Sequence, residues 1–480
     1  MVKINTIASN VFVAGGGRVI GGLFAFGSIV LITRVLGPQK FGEYSTVLAF
    51  LYIFNALADF GLYAYLIREI ARRNDSEKEI IGHVLSLRMA ILVLSLAAGI
   101  IIGHQIPYDH AIKNGFFVGA ISYFFLSSSQ VLMGVFQKYL VIWQVACAEI
   151  TSRFIQLALF VYLFLNKDSS VMLFLYALAL ASFTNFVLTW WFATRHVKFI
   201  LSIDIHRWGE IIKESLPIAL ALIFTLIYFR LDTVLLSLFK PAEDVGIYNI
   251  AYKLLENIIF YPSMLVGLIM PILSKEAFVN PERFKTVFQR TVKILFIGAL
   301  PMLVGGWLLA PEIVGLLGGK LFIDAAAPFK ILLAATFFIF FGTLLGAAVI
   351  ALGKQKEAIP VYFGAMLFNV TANLLFIPKF SYMATSITTL LTEFFVVAGL
   401  VFLVRKTVVW PQKLFVIKVF VAAVIMGGLI FVLRDATKST PSIYTLAIFI
   451  PLSFLIYGLS LLVLRALNRE EIKFFFGKAE

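Results

Sequence analysis

The residue types able to do chemistry in this sequence are ionisable side chains that interrupt long apolar stretches. The cations are Arg18, Arg88, Arg153, Arg230 and Lys253, and the acids are Asp59, Glu149, Asp232, Glu256 and Glu393. A guanidinium can hold a diphosphate through two parallel hydrogen bonds, and a carboxylate can take up a proton or a metal cation. We therefore predict that the cations bind an anionic substrate and that the acids titrate with a coupling ion.

Charges in apolar segments carry a large free-energy cost. On the membrane-insertion scale a charge near a helix centre costs roughly 2.5 to 3.5 kcal/mol, whereas fifteen strongly apolar residues recover roughly 5 to 9 kcal/mol. One charge in a span is thus tolerated, but it needs a partner or water. The alternative interpretation is that these groups form buried pairs that lock neighbouring helices together.

Helix geometry predicts which of these charges meet in the first part of the chain. Glu149 and Arg153 are four residues apart, so their side chains share a helix face and can pair. Arg18 and Asp59 both lie about 23 Å from the outer ends of their spans, at about 1.5 Å per residue, and could face each other. Arg88 lies close to the cytoplasmic end of its span, where a long side chain can reach the interface.

A similar set of charges follows in the second part of the chain. Arg230 and Asp232 are two residues apart and point roughly 200° away from each other on a helix, so neither neutralises the other. Pairing between helices is therefore expected, either of Arg230 with Glu256 or of Asp232 with Lys253. Glu393 stands nearly alone at the middle of its span.

Small residues surround the first of the cations. Gly17, Gly21 and Ala25 form a stripe that favours close helix packing, with a bend during transport as the alternative. Gly22 and Ala25 share a helical face with Arg18 and leave room beside its guanidinium. We therefore predict that Arg18 binds substrate.

Composition defines the class of protein that carries these residues. The 480 residues are 61% hydrophobic and 14% charged, with a mean hydropathy of +0.97. A soluble domain is about a quarter charged, so this composition excludes a soluble enzyme, a disordered regulator and a nucleic-acid-binding domain. The net charge of +14 is clustered in loops, and its partner is the anionic membrane leaflet rather than nucleic acid.

Apolar windows predict an all-α integral membrane protein with about fourteen transmembrane helices. The windows are near 10–33, 43–67, 82–104, 112–136, 139–165, 170–194, 214–239, 245–273, 290–310, 328–351, 359–377, 381–404, 414–433 and 443–464. With a cytoplasmic N-terminus, 23 Lys and Arg residues fall in inside segments and nine in outside segments. This excess predicts that both termini are cytoplasmic in a multi-pass protein of the cell membrane.

An internal repeat divides the spans into two groups of six. Residues 38–44 (PQKFGEY) and 241–248 (PAEDVGIY) lie in predicted outer hairpins, and in each we expect the Pro to end one helix and the Gly-x-Tyr to open the next. Because six is even, the two lobes would have parallel topology about an axis along the membrane normal. The predicted parts are a first lobe, an amphipathic cytoplasmic linker, a second lobe, and two accessory helices with a cytoplasmic tail, at residues 1–194, 195–213, 214–404 and 405–480.

The sequence offers little support for catalytic, metal or nucleotide chemistry. Cys147 is the single cysteine, and the five histidines have no ligand spacing. Residues 315–321 (GLLGGKL) lack the glycine frame and the Ser or Thr of a phosphate-binding loop. We therefore expect no catalytic residue, no metal site and no cofactor, and an ion gradient of protons or sodium remains as the energy source.

Several segments resemble the multidrug/oligosaccharidyl-lipid/polysaccharide (MOP) flippase superfamily, and within it the polysaccharide (Wzx-type) branch. They are residues 33–44 (TRVLGPQKFGEY), 59–62 (DFGL), 68–72 (REIAR), 245–248 (VGIY), 271–274 (PILS) and 352–355 (LGKQ). The resemblance implies two lobes around a central cavity and alternating access. It also implies that a lipid-linked oligosaccharide on a polyprenyl diphosphate moves from the cytoplasmic to the outer leaflet.

This resemblance leaves other functions open. An ion-coupled multidrug exporter of related fold has the same architecture, and five cations against five acids do not separate the two by charge. A membrane-embedded glycan polymerase or ligase would need a larger outer loop than residues 311–327. Partners implied by the resemblance are membrane lipids and a glycan polymerase or glycosyltransferases.

Overall fold

The computed structural model consists of helices and short connecting segments over the residues it describes. These are residues 4–59, 61–62, 65–66, 69, 77–139, 141–434 and 442–466, with side chains described outside 4–19, 77 and 216–229. The helices are α1 (Ile4–Asp59), α2 (Glu77–Gln105), α3 (His110–Lys138), α4 (Ile142–Leu165), α5 (Val171–His196), α6 (Ile205–Phe239), α7 (Ala242–Val279), α8 (Pro281–Leu308), α9 (Ala310–Gly318), α10 (Ala326–Ala351), α11 (Gln355–Val404), α12 (Lys413–Arg434) and α13 (Ser442–Val463). A 3₁₀ turn, Lys320–Ala325, precedes α10.

The prediction of about fourteen spans in an all-α membrane protein is confirmed. Within the described residues, eleven helices are long and apolar enough to cross a membrane. Two of them, α1 and α11, are broken by non-helical backbone at Gly37 and Ser381, and each of their arms exceeds the twenty residues that a span needs. With the 35 residues of α6, these helices supply the fourteen spans.

The first outer hairpin is tighter than predicted. A loop was expected between positions 33 and 43, but the break in α1 is confined to Gly37, with φ 67° and ψ 179°. Only glycine adopts this backbone conformation readily, because it has no Cβ. Pro38 therefore begins the second arm instead of ending the first, a position where its missing N–H is harmless.

The chain divides into two compact units, Met1–Gly246 and Ile247–Glu480. In the first unit α1 packs against α2, α3, α4 and α6, and α3 packs against α5. Its core includes the buried side chains of Leu85, Phe136 and Ile211, from α2, α3 and α6. The predicted lobe and linker boundaries stay predictions.

The second unit is built around α10, which packs against α8 and α11. Phe288, Leu344 and Leu400 are buried there together. The accessory helices α12 and α13 pack on α8, and Tyr457 of α13 donates a hydrogen bond to the carbonyl oxygen of Ile297 at 3.0 Å. The predicted cytoplasmic tail, residues 467–480, lies outside the described residues.

The segment predicted as an amphipathic linker helix has a different structure. Residues 197–204 are non-helical, and the chain is helical again from Ile205 directly into the span. Phe199 is buried and its ring contacts Trp190 at 5.1 Å between centroids, while Ile203 is exposed. The expectation of an amphipathic helix was wrong here, because alternate apolar side chains of this extended segment point to opposite sides.

Candidate functional site

Arg88 of α2 is the centre of a buried polar cluster in the first unit. Its side chain is 1% exposed, and Nη1 lies 2.9 Å from Oδ1 of Asp59 at the end of α1. Nη2 donates to Oγ of Ser127 on α3. Three helices thus converge on one guanidinium, while Asp59, at 32% exposed, keeps one side open.

This cluster corrects one expectation. Arg88 does not extend to the membrane interface, because Asp59 and Ser127 hold its guanidinium inside the unit. Asp59 pairs with Arg88 among the described side chains, and its predicted pairing with Arg18 stays a prediction. The Arg18 side chain lies outside the described residues.

The predicted pair on α4 is confirmed. Arg153 Nη2 lies 3.9 Å from Oε1 of Glu149, and the two side chains are 41% and 47% exposed. This is a loose, accessible ion pair, unlike the enclosed pair of Arg88. Exposed ion pairs contribute little to stability. Replacing either partner of this pair by a ligand therefore costs little free energy.

Arg230 of α6 lies against an aromatic ring that the sequence reasoning missed. Its guanidinium carbon is 4.7 Å from the centroid of Tyr52, which belongs to the second arm of α1. Tyr52 in turn packs edge-on to Tyr123, whose hydroxyl donates to the carbonyl oxygen of Leu48 at 2.9 Å. Asp232, two residues from the cation, is buried. A ring face attracts a cation without neutralising its charge.

The first cationic group of the second unit is on α7. Lys253 Nζ lies 2.7 Å from Oε2 of Glu256, three residues later on the same helix. Both side chains are about one-third exposed. The pair that the structure describes therefore runs along one helix, and pairing of α7 charges with Arg230 or Asp232 stays a prediction.

Glu393 is a buried acid on the second arm of α11, and the same helix carries a cluster of buried amide and hydroxyl side chains. The Glu393 side chain is 3% exposed. On the two arms of this helix, Asn373 Nδ2 donates to Asn369 Oδ1 and Asn369 Nδ2 donates to Thr392 Oγ1, both at 3.2 Å. The buried side chains of Thr385, Ser386, Thr388 and Thr389 follow the same arm.

A sequence signal for this cluster existed. Asn369 and Asn373 are four residues apart, and the hydroxyl residues from 385 to 392 recur at three- and four-residue spacing, so each set shares a helix face. Polar groups buried in a span need partners, and here they bond to one another across the kink at Ser381.

The two repeated hairpin segments contact each other directly. A Cβ added to Gly42 would overlap the carbonyl oxygen of Ala242, and one added to Gly246 would overlap the carbonyl oxygen of Pro38. Each glycine thus meets the residue four positions before the other glycine. This reciprocal geometry is that of a local two-fold axis, and it places two helix backbones in contact.

A hydrogen bond joins the turn before α3 to α6. Tyr108 in that turn and Ser237 near the end of α6 are 2.7 Å apart between their hydroxyl oxygens.

The glycines of the first arm of α1 are not closely packed. Gly21 and Gly22 have open space where a Cβ would stand. The predicted close packing at Gly21 is therefore wrong, whereas the room expected beside Gly22 is present.

The structure thus brings most predicted site residues into defined groups. Asp59 pairs with Arg88, Glu149 with Arg153, and Glu256 with Lys253, while Arg230 lies on a ring and Glu393 is buried on α11. Among the described residues, no group of three or more His, Cys, Asp or Glu side chains is arranged so that it could hold a metal ion.

Comparison with protein families gives two matches. The family model described as "Polysaccharide biosynthesis protein" matches residues 7–276, and the MatE model matches residues 217–375. The first covers more than half of the chain. Comparison with curated protein sequences gives no match.

Solved structures share the fold at low sequence identity. An inward closed conformation of the lipid II flippase MurJ has a TM-score of 0.77 and 14% identity, covering 94% of this chain and 98% of MurJ. An inward-facing MATE-family multidrug transporter of the MOP superfamily has a TM-score of 0.67 and 15% identity, covering 81% and 94%. A MOP superfamily transporter from Pyrococcus furiosus has a TM-score of 0.59 and 14% identity, covering 84% and 96%.

Proposed function

Because this chain belongs to the family of polysaccharide biosynthesis proteins within the MOP superfamily of membrane transporters, we propose that it flips a lipid-linked oligosaccharide. The substrate is a polyprenyl-diphosphate oligosaccharide, which moves from the cytoplasmic to the outer leaflet of the cell membrane. Both termini are cytoplasmic in this proposal. The observation that carries it is the family match over residues 7–276, a range that contains every cationic group described above.

The diphosphate is the part of the substrate that the protein must take through the hydrocarbon core. Arg153, Arg230 and Lys253 are accessible enough to bind it, and each has a partner in the substrate-free protein. A phosphate oxygen that replaces the carboxylate beside Arg153 or Lys253 leaves that acid unpaired. Substrate binding and acid titration are therefore coupled in this mechanism, because an unpaired acid in a span favours protonation.

Coupling to an ion gradient completes the cycle. Glu149 and Glu256 exchange their cations for protons when substrate binds, and Asp59 remains paired with the enclosed Arg88. Asp232 and Glu393 are buried acids, and the arm of α11 that carries Glu393 also carries buried hydroxyl groups, whose oxygens suit proton or sodium exchange. The gradient thereby returns the empty protein to the state that accepts substrate.

Alternating access requires one side to be closed while the other is open. The crossing of Gly42 and Gly246 lies at the outer hairpins in the proposed topology, where it closes the outside. The same crossing must separate when substrate leaves to the outer leaflet. Because glycine has no side chain, the two helix backbones can approach closely at this crossing and can also move apart.

Multidrug export is the second candidate, and the MatE match over residues 217–375 favours it. The two functions differ in cargo. A drug exporter carries amphipathic organic molecules and does not require a diphosphate, so neutralising the accessible cations should affect the two cargoes differently.

Deletion of the gene in its host tests the proposal. We expect the surface polysaccharide to be lost and its lipid-linked precursor to accumulate in the cytoplasmic leaflet, with recovery on re-expression. Arg153→Gln should fail to restore delivery, whereas Arg207→Gln, which changes an exposed cation paired with Glu210 at 3.1 Å, should restore it. Unchanged delivery of the lipid-linked sugar after deletion would exclude the function.

A further inference from the structure

An aromatic groove on the first unit has no role in the transport mechanism. It lies between α2 and α5 and has a volume of about 450 Å³. Its walls are almost wholly apolar and are formed by Met89, Phe186, Val187, Trp190, Trp191 and Thr194. Val187 and Trp191 are nearly half exposed, so the groove opens to the surroundings of the first unit.

A cation is fixed at one end of this groove. The guanidinium carbon of Arg195 lies 3.6 Å above the ring of Trp191. This stacking uses the face of the guanidinium and leaves its in-plane N–H groups directed to the surroundings. Lys198, three residues later, is also exposed.

The dimensions match a lipid whose headgroup lies at the membrane surface. From Phe186 to Arg195 the helix rises about 13 Å, at about 1.5 Å per residue. Trp rings prefer the level of the headgroups, and basic side chains just beyond them meet the charged surface of the cytoplasmic leaflet. The apolar walls therefore lie at acyl-chain depth and Arg195 lies at phosphate depth.

We propose that this groove binds an anionic phospholipid of the cytoplasmic leaflet, with an acyl chain along the aromatic walls and the phosphate on Arg195. The leaflet assignment rests on the topology of the proposed function. A phospholipid is favoured over the polyprenyl carrier because the apolar walls extend only about 13 Å from Arg195, which suits an acyl chain better than a much longer polyprenyl chain. Arg88, next to the groove residue Met89, is enclosed within the unit and is not part of the groove. The bound lipid bridges α2 and α5.

Quenching by brominated lipids tests this site directly. The full chain, with Trp191 as its single tryptophan and Phe at the other five positions, is placed in nanodiscs. Brominated phosphatidylglycerol should quench Trp191 with about a fivefold preference over brominated phosphatidylcholine, the preference that one surface cation contributes. Arg195→Gln should abolish the preference, and Arg207→Gln, a matched exposed cation, should retain it.

A second variant separates the groove from general surface charge. Val187→Phe fills the groove and should reduce quenching by both lipids without a change in thermal stability. Equal quenching by the two lipids, or equal loss in Arg195→Gln and Arg207→Gln, would overturn the proposal. Displacement of the phosphatidylglycerol by polyprenyl phosphate would instead identify the carrier as occupant and also overturn it. The assay contains no transport step, so its failure is independent of the flippase proposal.

Discussion

Arg88 and Asp59 illustrate how a charge is kept inside an apolar helix bundle. The guanidinium is enclosed, and an ion pair and a serine hydroxyl hold it. Removing one partner of a buried pair is costly because the other charge remains in a poorly solvated site. The partial exposure of Asp59 reduces this cost, since water can reach the carboxylate.

Asp59→Asn should therefore destabilise the protein by roughly 1 to 3 kcal/mol, below the 3 to 5 kcal/mol of a fully buried pair. Arg88→Gln combined with Asp59→Asn should recover part of that loss, because no unpaired charge remains. Thermal unfolding in detergent measures both. Glu149→Gln is the matched control, and an equal loss for it would contradict the account.

Arg230 has a different environment, and its substitution should affect transport more than stability. Arg230→Gln should raise the substrate concentration at half-maximal flipping about tenfold or more, because charge-assisted bonds to phosphate contribute about 1.5 to 3 kcal/mol. Tyr52→Leu removes only the ring beneath the cation and should have a smaller effect. Initial rates in proteoliposomes measure this. An unchanged half-saturation in Arg230→Gln would remove this residue from the binding set.

The residue types of the site could be predicted from the sequence, but most of their partners could not. Depth along a span follows from residue number at a fixed rise. Rotation about the helix axis decides which neighbour a side chain meets, and it depends on packing. The ion pair of Asp59 with Arg88 was therefore not predicted. Glu149 and Arg153 were predictable because one helix fixes both depth and rotation.

At the scale of helices, the crossing at Gly42 and Gly246 is the most constrained contact of the first unit. Gly42→Ala places a Cβ against backbone atoms that cannot rotate away, including the amide nitrogen of Gly246 at 2.9 Å. The outer side should close less well, so a cysteine at position 39 should become more reactive to an impermeant label and transport should slow. Gly22→Ala, which has open space, is the control. If Gly42→Ala and Gly22→Ala give the same labelling and the same transport rate, the crossing does not close the outer side.

The N-terminal cap of α6 predicts how the stability of the protein depends on pH. The backbone amide of Arg207 donates to the Asp204 carboxylate, as does that of His206, and these bonds hold the pKa of this carboxyl below its usual value. A depressed pKa in the folded state means that the cap stabilises the protein at neutral pH. That stability is lost as pH falls through the folded pKa.

Asp204→Asn should therefore retain the cap but lose its pH dependence, because the amide oxygen accepts the same bonds without titrating. Melting temperatures from neutral pH to about pH 3 should fall less in the variant than in the parent. Identical pH profiles would show that the cap does not contribute.

The length of the apolar segments predicted nearly every span, because a helix needs about twenty apolar residues to cross the bilayer. The bounds of α3, α5 and α12 agree with the predicted windows to within two residues. The connections were not predictable in this way. The break between the two arms of α1 and of α11 is confined to the single residues Gly37 and Ser381. Residues 197–204 are non-helical, and Phe199 is buried there.

For the whole molecule, the proposed topology rests on the asymmetry of basic residues. In a Cys147→Ser background, single cysteines at positions 39 and 243 should react with an impermeant reagent from outside the cell, and one at position 207 should react only after the membrane is opened. Labelling of position 207 from outside would show that the topology is inverted or that the proposed two-lobe arrangement is wrong. It would also move the lipid groove to the other leaflet.

Transport by the purified protein tests the central claim most directly. The full chain is reconstituted with a polyprenyl-diphosphate oligosaccharide that carries a fluorophore on its sugar, and an impermeant reductant is added outside the vesicles. We predict that the fluorophore of both leaflets is reduced in vesicles that contain the protein, whereas only the fluorophore of the exposed leaflet is reduced in empty vesicles. Arg153→Gln should slow the second phase of the reduction, in which the label of the inner leaflet is lost. Protection of the inner-leaflet label in the presence of folded protein that exports an organic cation would contradict the flippase and identify a drug exporter.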